Sequence, residues 1–211
     1  QGHAVTYLAA HDCLDYHAKW RHRAATLLKP LGSLSTPLAE RIVQGAAAVD
    51  VALHRRVTHL WLQDPWLALG VRLGLFRHRR LRRPFKLIVT EHGLGSFAWA
   101  TAQDGLTPGN HAYALLLRLE KSVLAAADRV FCPSQAVHTA LARDLQLAKP
   151  STRWQVVGYG KPALTLPARQ EARRTLGISD ADFVVCTLGR IAPVKAFDRL
   201  IKAALTLQDE G

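Results

Sequence analysis

Methionine is missing from all 211 residues, cysteine occurs three times, and acidic side chains are outnumbered 28 to 16 by Lys and Arg, leaving a net charge of +12. A translated chain opens on methionine, whereas this one opens on Gln1-Gly2-His3, which predicts a piece of a longer protein with its natural start removed. Cys13, Cys132 and Cys186 show no CxxC spacing. So sparse and odd a set excludes a disulfide framework or a zinc site and points to a reducing compartment. No apolar run approaches the ~18 residues a bilayer-spanning helix needs, and no secretory leader is visible at the start. Also missing are a G-x-S-x-G elbow, an H-E-x-x-H pair, a G-x-x-x-x-G-K-[ST] loop and a G-x-G-x-x-G turn after a strand. There is no acid cluster to hold a metal, no internal repeat and no low-complexity tract. Aromatics make up 7% of the chain, without the paired rings on neighbouring strands that RNA-binding sheets use.

What is present is globular: 49% hydrophobic and 21% charged, outside the composition of disordered chains. At roughly 150 residues per domain, the length fits one domain and part of another. Short apolar runs alternate with helical patterns. Strands are predicted over residues 4–8, 59–63, 86–91, 129–132, 153–157 and 183–188. Helices are predicted over 36–53, 65–76, 108–127, 134–145 and 168–176 and from about 196 onward, with Thr36 and Ser134 as N-caps. Residues 12–35 read as loop or broken helix and 92–107 as a glycine-rich loop. Alternation of this kind specifies a parallel α/β sheet covered by helices on both faces, with ligands outside the C-terminal ends of the strands. The Gly- and Pro-bearing stretch 158–167 is the expected linker.

The residues just past each strand are therefore the candidates. His92, followed by Gly93 and Gly95, can approach a ligand closely or can be a loop histidine satisfied by backbone. Gly189, Arg190 and Lys195 precede an amphipathic helix whose N-terminus favours a phosphate; the plain alternative is two surface cations in a turn. Glu120 lies on the apolar stripe of its helix. A carboxylate there needs a partner, so it either ties down a loop or backbone N–H groups or takes part in chemistry. The basic run Arg77-His78-Arg79-Arg80-Leu81-Arg82-Arg83 follows an apolar segment containing Trp66, Leu73 and Phe76. It reads as a solvated loop, as an anionic-membrane surface or, less favoured by its composition, as a nucleic-acid contact.

In order along the chain, these pieces resemble the retaining glycosyltransferases of the GT-B fold, in the large family 4 group. The resemblance rests on five stretches: Gly2-His3-Ala4-Val5-Thr6; residues 59–65 ending in Asp64-Pro65; Thr90-Glu91-His92-Gly93; Glu120 through Ser134 with Ala127-Asp128-Arg129-Val130; and Arg173-Arg174-Thr175-Leu176-Gly177 followed by Gly189, Arg190 and Lys195. Together they span nearly the whole chain. The resemblance implies two Rossmann-like domains, with residues 1–160 forming the acceptor-side domain without its first strand. Residues 161–211 would open the nucleotide-sugar domain. It implies a hexose transferred with retention, by same-face attack, to a cell-envelope glycan or lipid-linked acceptor.

His92 would lie at the donor sugar and acceptor hydroxyl. Gly189, Arg190 and Lys195 would hold the donor diphosphate. Glu120, Gly93 and Ser134 would be structural or interface residues, and Arg77, Arg79, Arg80, Arg82 and Arg83 candidates for a membrane surface. No metal, no cofactor beyond the nucleotide-sugar substrate and no nucleic acid are expected. The resemblance also implies a cytoplasmic protein, peripheral on the inner face of the plasma membrane. The family's glycine-rich first loop would precede Gln1, and its donor-gripping glutamate pair would follow Gly211, so the piece alone is expected to be inactive. Gln63 stands where a second His is common, Ala196 replaces a Gly, and Gly158-Tyr159-Gly160-Lys161-Pro162 replaces an Asn-Gly turn, which implies a divergent branch. The alternatives are a non-catalytic remnant or interaction domain, and a basic Rossmann-like module for nucleic acid or a dinucleotide.

Overall fold

A computed structural model describes residues 3–9, 14–79, 82–93, 95–107, 109–148, 151–160, 163–189, 191 and 195–210; residues 14–18 and 208–210 are described by backbone alone. The chain divides into two compact units, Gln1–Gly158 and Tyr159–Gly211.

In the first unit α1 (Leu14–Leu27) and a 3-10 turn (Lys29–Leu34) lead into α2 (Ser35–His54). Then follow β1 (His59–Leu62), α3 (Leu67–Arg77), β2 (Lys86–Thr90), α4 (Phe97–Gln103), α5 (Gly109–Ala126), β3 (Arg129–Cys132), α6 (Gln135–Asp144) and β4 (Trp154–Val156). The four strands form one parallel sheet in the order β1-β2-β3-β4. This is the α/β, Rossmann-like arrangement that the alternating pattern specifies. Register aligns Leu62 with Val89 and Val89 with Val130, so alternate residues share a face. Leu62, Leu87, Val89, Val130 and Cys132 join Val49 and Ala52 of α2, Val71 and Leu75 of α3, Val123 and Leu124 of α5, and Leu141 of α6 in the main core. On the other face Trp61 packs edge-on against Phe131 at 5.7 Å and donates its indole N–H to the Thr90 hydroxyl at 2.7 Å. A smaller core gathers Leu34, Leu38, Trp66, Ala98 and Leu116.

Three local readings are corrected. Thr36 is not the N-cap, because α2 begins at Ser35 straight out of the 3-10 turn with no side-chain cap. For residues 12–35 the broken-helix alternative holds: the described part is α1, a turn at Leu28 and the 3-10 stretch. The loop 92–107 contains α4, whose N-cap Ser96 accepts the Trp99 N–H at 3.0 Å. Residues 4–8 form no strand; Val5 and Tyr7 stand more than four-fifths exposed. An apolar β-branched run becomes a strand only where a neighbour accepts its ladder, and these residues pair with none of the described strands.

The second unit contains α7 (Arg169–Leu176), ended by Gly177 in the left-handed conformation at φ 68°, and α8 (Phe197–Glu210). Residues 183–188, predicted as a strand, run without one, with Phe183 and Leu188 exposed. The reason is the same: no strand in the described part of this unit offers a ladder. Among the described residues no helix is long and apolar enough to cross a membrane.

Candidate active site

Because the sheet is parallel, the turns after β1, β2 and β3 leave it at one edge. Gln63 and Asp64 follow β1, Glu91, His92 and Gly93 follow β2, and Pro133 and Ser134 follow β3. His92 is exposed, with its Nε2 2.8 Å from the Gln63 side-chain oxygen. An amide oxygen only accepts, so this contact selects the tautomer protonated at Nε2. Gln63 thus orients the imidazole from the neighbouring strand.

The backbone behind His92 is held by carboxylates from three elements. Glu91 accepts the Gly93 N–H at 2.8 Å. Asp144, at the end of α6, accepts the Ser96 N–H at 2.9 Å. Glu120, inside α5, accepts from Phe97 at 2.8 Å and from Ala98 at 3.0 Å. These last two amides belong to the first turn of α4, whose N–H groups have no partner within the helix. A carboxylate satisfies them and meets the positive end of the helix dipole. Asp64 holds the next turn, accepting the Trp66 N–H at 2.7 Å and the Arg41 guanidinium at 2.6 Å. Arg41 in turn lies over the Phe97 ring at 4.8 Å.

The site is therefore acidic and buried beneath an exposed histidine. Glu91 and Glu120 are 3% and 1% exposed. Burial, then the charge of Glu120, pushes the Glu91 carboxyl up to about 8. Burial pushes Glu120 up to about 7 against the lowering effect of its two amide donors. Burial, with Glu91 adding to it, raises the Cys132 thiol to about 12, which leaves it a neutral core residue.

The structure brings together His92, Gly93 and Glu120 of the residues singled out by sequence. Ser134 begins the neighbouring helix, accepting the Val137 N–H at 3.3 Å. In the second unit Gly189 lies against the Lys195 side chain and the Phe197 ring, with Lys195 exposed just before α8. Arg190 and Arg80 lie outside the described residues. In the basic run, Arg77 and His78 share Asp50, and Arg83 pairs with Asp128 at 3.2 Å and donates to the Ala126 carbonyl at 2.9 Å. Arg79 and Arg82 are exposed. Among the described residues no group of three His, Cys, Asp or Glu side chains is placed to hold a metal ion.

Sequence reasoning missed Glu91, Asp64 and Asp144 as parts of this site. For Glu91 a signal existed: strand alternation from Leu87 and Val89 carries the next same-side position, Glu91, onto the core face.

No protein-family model matches the chain. It is similar to the D-inositol 3-phosphate glycosyltransferase of Mycobacterium sp. (strain KMS), 33% identical over 156 residues. That match covers 72% of this chain and 32% of the relative. The same protein of Mycobacterium sp. (strain MCS) matches to the same extent. That of Rhodococcus erythropolis (strain PR4 / NBRC 100887) is 32% identical over 151 residues, 70% of this chain and 30% of the relative. The chain thus spans about a third of the length of the curated relatives it matches.

Proposed function

We propose that this chain is part of a retaining glycosyltransferase of the GT-B family 4 group. The protein would transfer a hexose from a nucleotide-sugar to a cell-envelope glycan or lipid-linked acceptor. The observation that carries this reading is similarity to three glycosyltransferases over 70% to 72% of the chain. The local geometry supports it: one histidine is presented on a turn clamped at the C-terminal edge of a parallel sheet, where such sheets bind ligands.

In this reading His92, oriented by Gln63, contacts the donor sugar and the acceptor hydroxyl. Lys195 and Arg190, with Gly189 allowing close approach, neutralise the diphosphate as it departs. That neutralisation is assigned to side-chain cations and a helix N-terminus, without a metal. Glu120 and Ser134 hold backbone and do no chemistry. The protein would be cytoplasmic and sit on the inner face of the plasma membrane. Support for that comes from α3, which leaves Leu73 and Phe76 54% and 82% exposed beside Arg72 and Arg79. Apolar and cationic side chains at one helix end suit an anionic lipid surface.

The test is transfer of labelled sugar by the full-length protein from a panel of nucleotide-sugars to extracted envelope lipids and glycans. A product retaining the donor's anomeric configuration is expected. His92→Ala and Lys195→Ala should each lower kcat by at least about 100-fold while the thermal transition is unchanged. No transfer with any donor, together with steeply salt-dependent binding to DNA or RNA, would replace this reading with a nucleic-acid module.

A further inference from the structure

We propose that Glu91 is a positioning residue that works in its neutral form: while protonated it anchors the His92–Gly93 turn, and when ionised it releases that turn and with it the imidazole. The proposal rests on the reading of His92 given above, but its geometry is independent of the sugar and the acceptor.

The two oxygens of Glu91 are used unequally. Oε1 accepts the Gly93 N–H at 2.8 Å, whereas Oε2 is buried without a hydrogen-bond partner. The groups facing this carboxyl are themselves acidic or neutral. Glu120 faces it from α5, Asp64 from the turn after β1, and the Cys132 thiol from β3; His92 is its neighbour in the turn. Among the described residues no cation pairs with Glu91. The Arg41 guanidinium is engaged with Asp64 and the Pro37 carbonyl.

A proton must therefore be shared unequally between two buried carboxyls. Glu120 has two amide donors, one for each oxygen, and such bonds favour the charged form. Glu91 has the Gly93 amide and a weaker effect of the His92 amide, both short of offsetting its burial, and its uncompensated Oε2 in an apolar surround favours the neutral form. Glu120 takes the charge, and that charge holds the proton on Glu91. A single Oε2–H keeps Oε1 free to accept from Gly93, so the turn stays closed. Removing the proton puts a second negative charge beside Glu120, with no cation among the described residues paired to it. The carboxylate then relieves the repulsion only by moving toward water. Oε1 is the atom bonded to Gly93, so the turn carrying His92 moves with it, and the 2.8 Å contact to Gln63 is lost.

The test compares the full-length protein with its Glu91→Gln variant between pH 6.5 and 9.5. Glutamine keeps an oxygen for Gly93 and cannot ionise. Wild-type kcat/KM is expected to fall above about pH 8 by about tenfold per pH unit, as loss of one essential proton requires, while the Glu91→Gln profile, whatever its height, has no such limb. A role confined to folding would change the height of the Glu91→Gln profile and not its shape, so the same alkaline limb in both proteins overturns the proposal. A second readout needs no turnover. In histidine-labelled protein the His92 ring resonances, assigned with His92→Gln, should show a step that follows Glu91, with a midpoint near 8, in wild type and lack that step in Glu91→Gln. If no transfer is found but the resonances show that step, the glycosyltransferase reading fails and the Glu91 assignment stands. If Glu91→Gln does not fold, the wild-type resonances decide alone, and the absence of a step near pH 8 overturns the proposal.

Discussion

Gly45 in α2 and Gly70 in α3 let two helix backbones touch. A Cβ built on Gly45 would fall well inside 3.0 Å of the Leu67 carbonyl oxygen, and one on Gly70 would do the same at the Ile42 carbonyl oxygen. Real Cβ atoms are not found so close to backbone, and backbone cannot swing aside as a side chain can. Helix propensity alone predicts that Gly45→Ala stabilises the protein by about 1 kcal/mol. The contact predicts the opposite sign. Fitting the methyl requires α2 and α3 to part by roughly 1 Å, which forfeits about a quarter to a half of each dispersion contact across the seam. Val49, Val71 and Leu75 lie in the same core. For one leucine-sized side chain with ~40 contacts of ~0.15 kcal/mol, that loss is about 2 kcal/mol. Two such side chains give about 4 kcal/mol, and subtracting the propensity gain leaves about 3 kcal/mol. For a unit of this size each kcal/mol moves the midpoint by about 2–4 °C, so Gly45→Ala and Gly70→Ala should each lower Tm by about 6–12 °C in a circular-dichroism melt. Gly74→Ala should cost less, because its methyl meets the Val49 side chain at 3.0 Å and backbone only at 3.1 Å. The double variant Gly45→Ala/Gly70→Ala should cost less than the sum, since the first methyl already opens the seam for the second. A Tm for Gly45→Ala equal to or above wild type would refute the reasoning.

Glu120→Ala leaves the Phe97 and Ala98 amides without an acceptor and should cost about 2–4 kcal/mol in a urea titration, whereas Glu120→Gln, which keeps one oxygen, should cost about half as much; equal midpoints for wild type and Glu120→Ala would contradict the clamp. Glu91 and Glu120 titrate higher folded than their usual 4.5, so the folded state binds the extra protons. Their stabilisation is complete below about pH 4.5 and is lost as pH rises through about 7 and 8, and the urea midpoint of Glu91→Gln should fall less over that window than that of wild type. Asp128 and Asp50 carry the opposite sign: against the raising effect of burial, the Leu87 amide and nearby cations hold Asp128, and Arg77 with His78 holds Asp50, below the usual 3.8. Their contribution is present above that value and lost on acidification, so Asp128→Asn should flatten the acid side of the same curve. In sedimentation with anionic vesicles, Arg79→Ser/Arg82→Ser should weaken binding about thirtyfold at about 1 kcal/mol per cation, while Arg77→Ser, whose guanidinium is engaged with Asp50, should cost stability in addition; undiminished binding of the double variant would remove the membrane role from this run.

The sequence-readable and unreadable parts of this site divide along a physical line. Strand β2 was legible because Leu87, Ile88 and Val89 form a short buried run, and Glu120 because a carboxylate interrupts an apolar stripe of period 3.6. Both are signals within one element. The partners that give Glu120 its role lie 22 and 23 residues away, and Asp144 reaches Ser96 across 48 residues; no periodicity encodes such pairings. The same limit explains the basic run. Its density of arginine was visible, but Asp50 and Asp128, which engage Arg77 and Arg83, come from other elements. Residues 4–8 and 183–188 show the reverse error, for there β propensity was present and the neighbouring strand was not. Glu91 lies between these cases. Its burial followed from alternation along β2, but its proton depends also on Glu120 and Asp64. The residue type could therefore be placed from the chain, whereas the charge it carries is a property of three parts of the chain brought together by the fold.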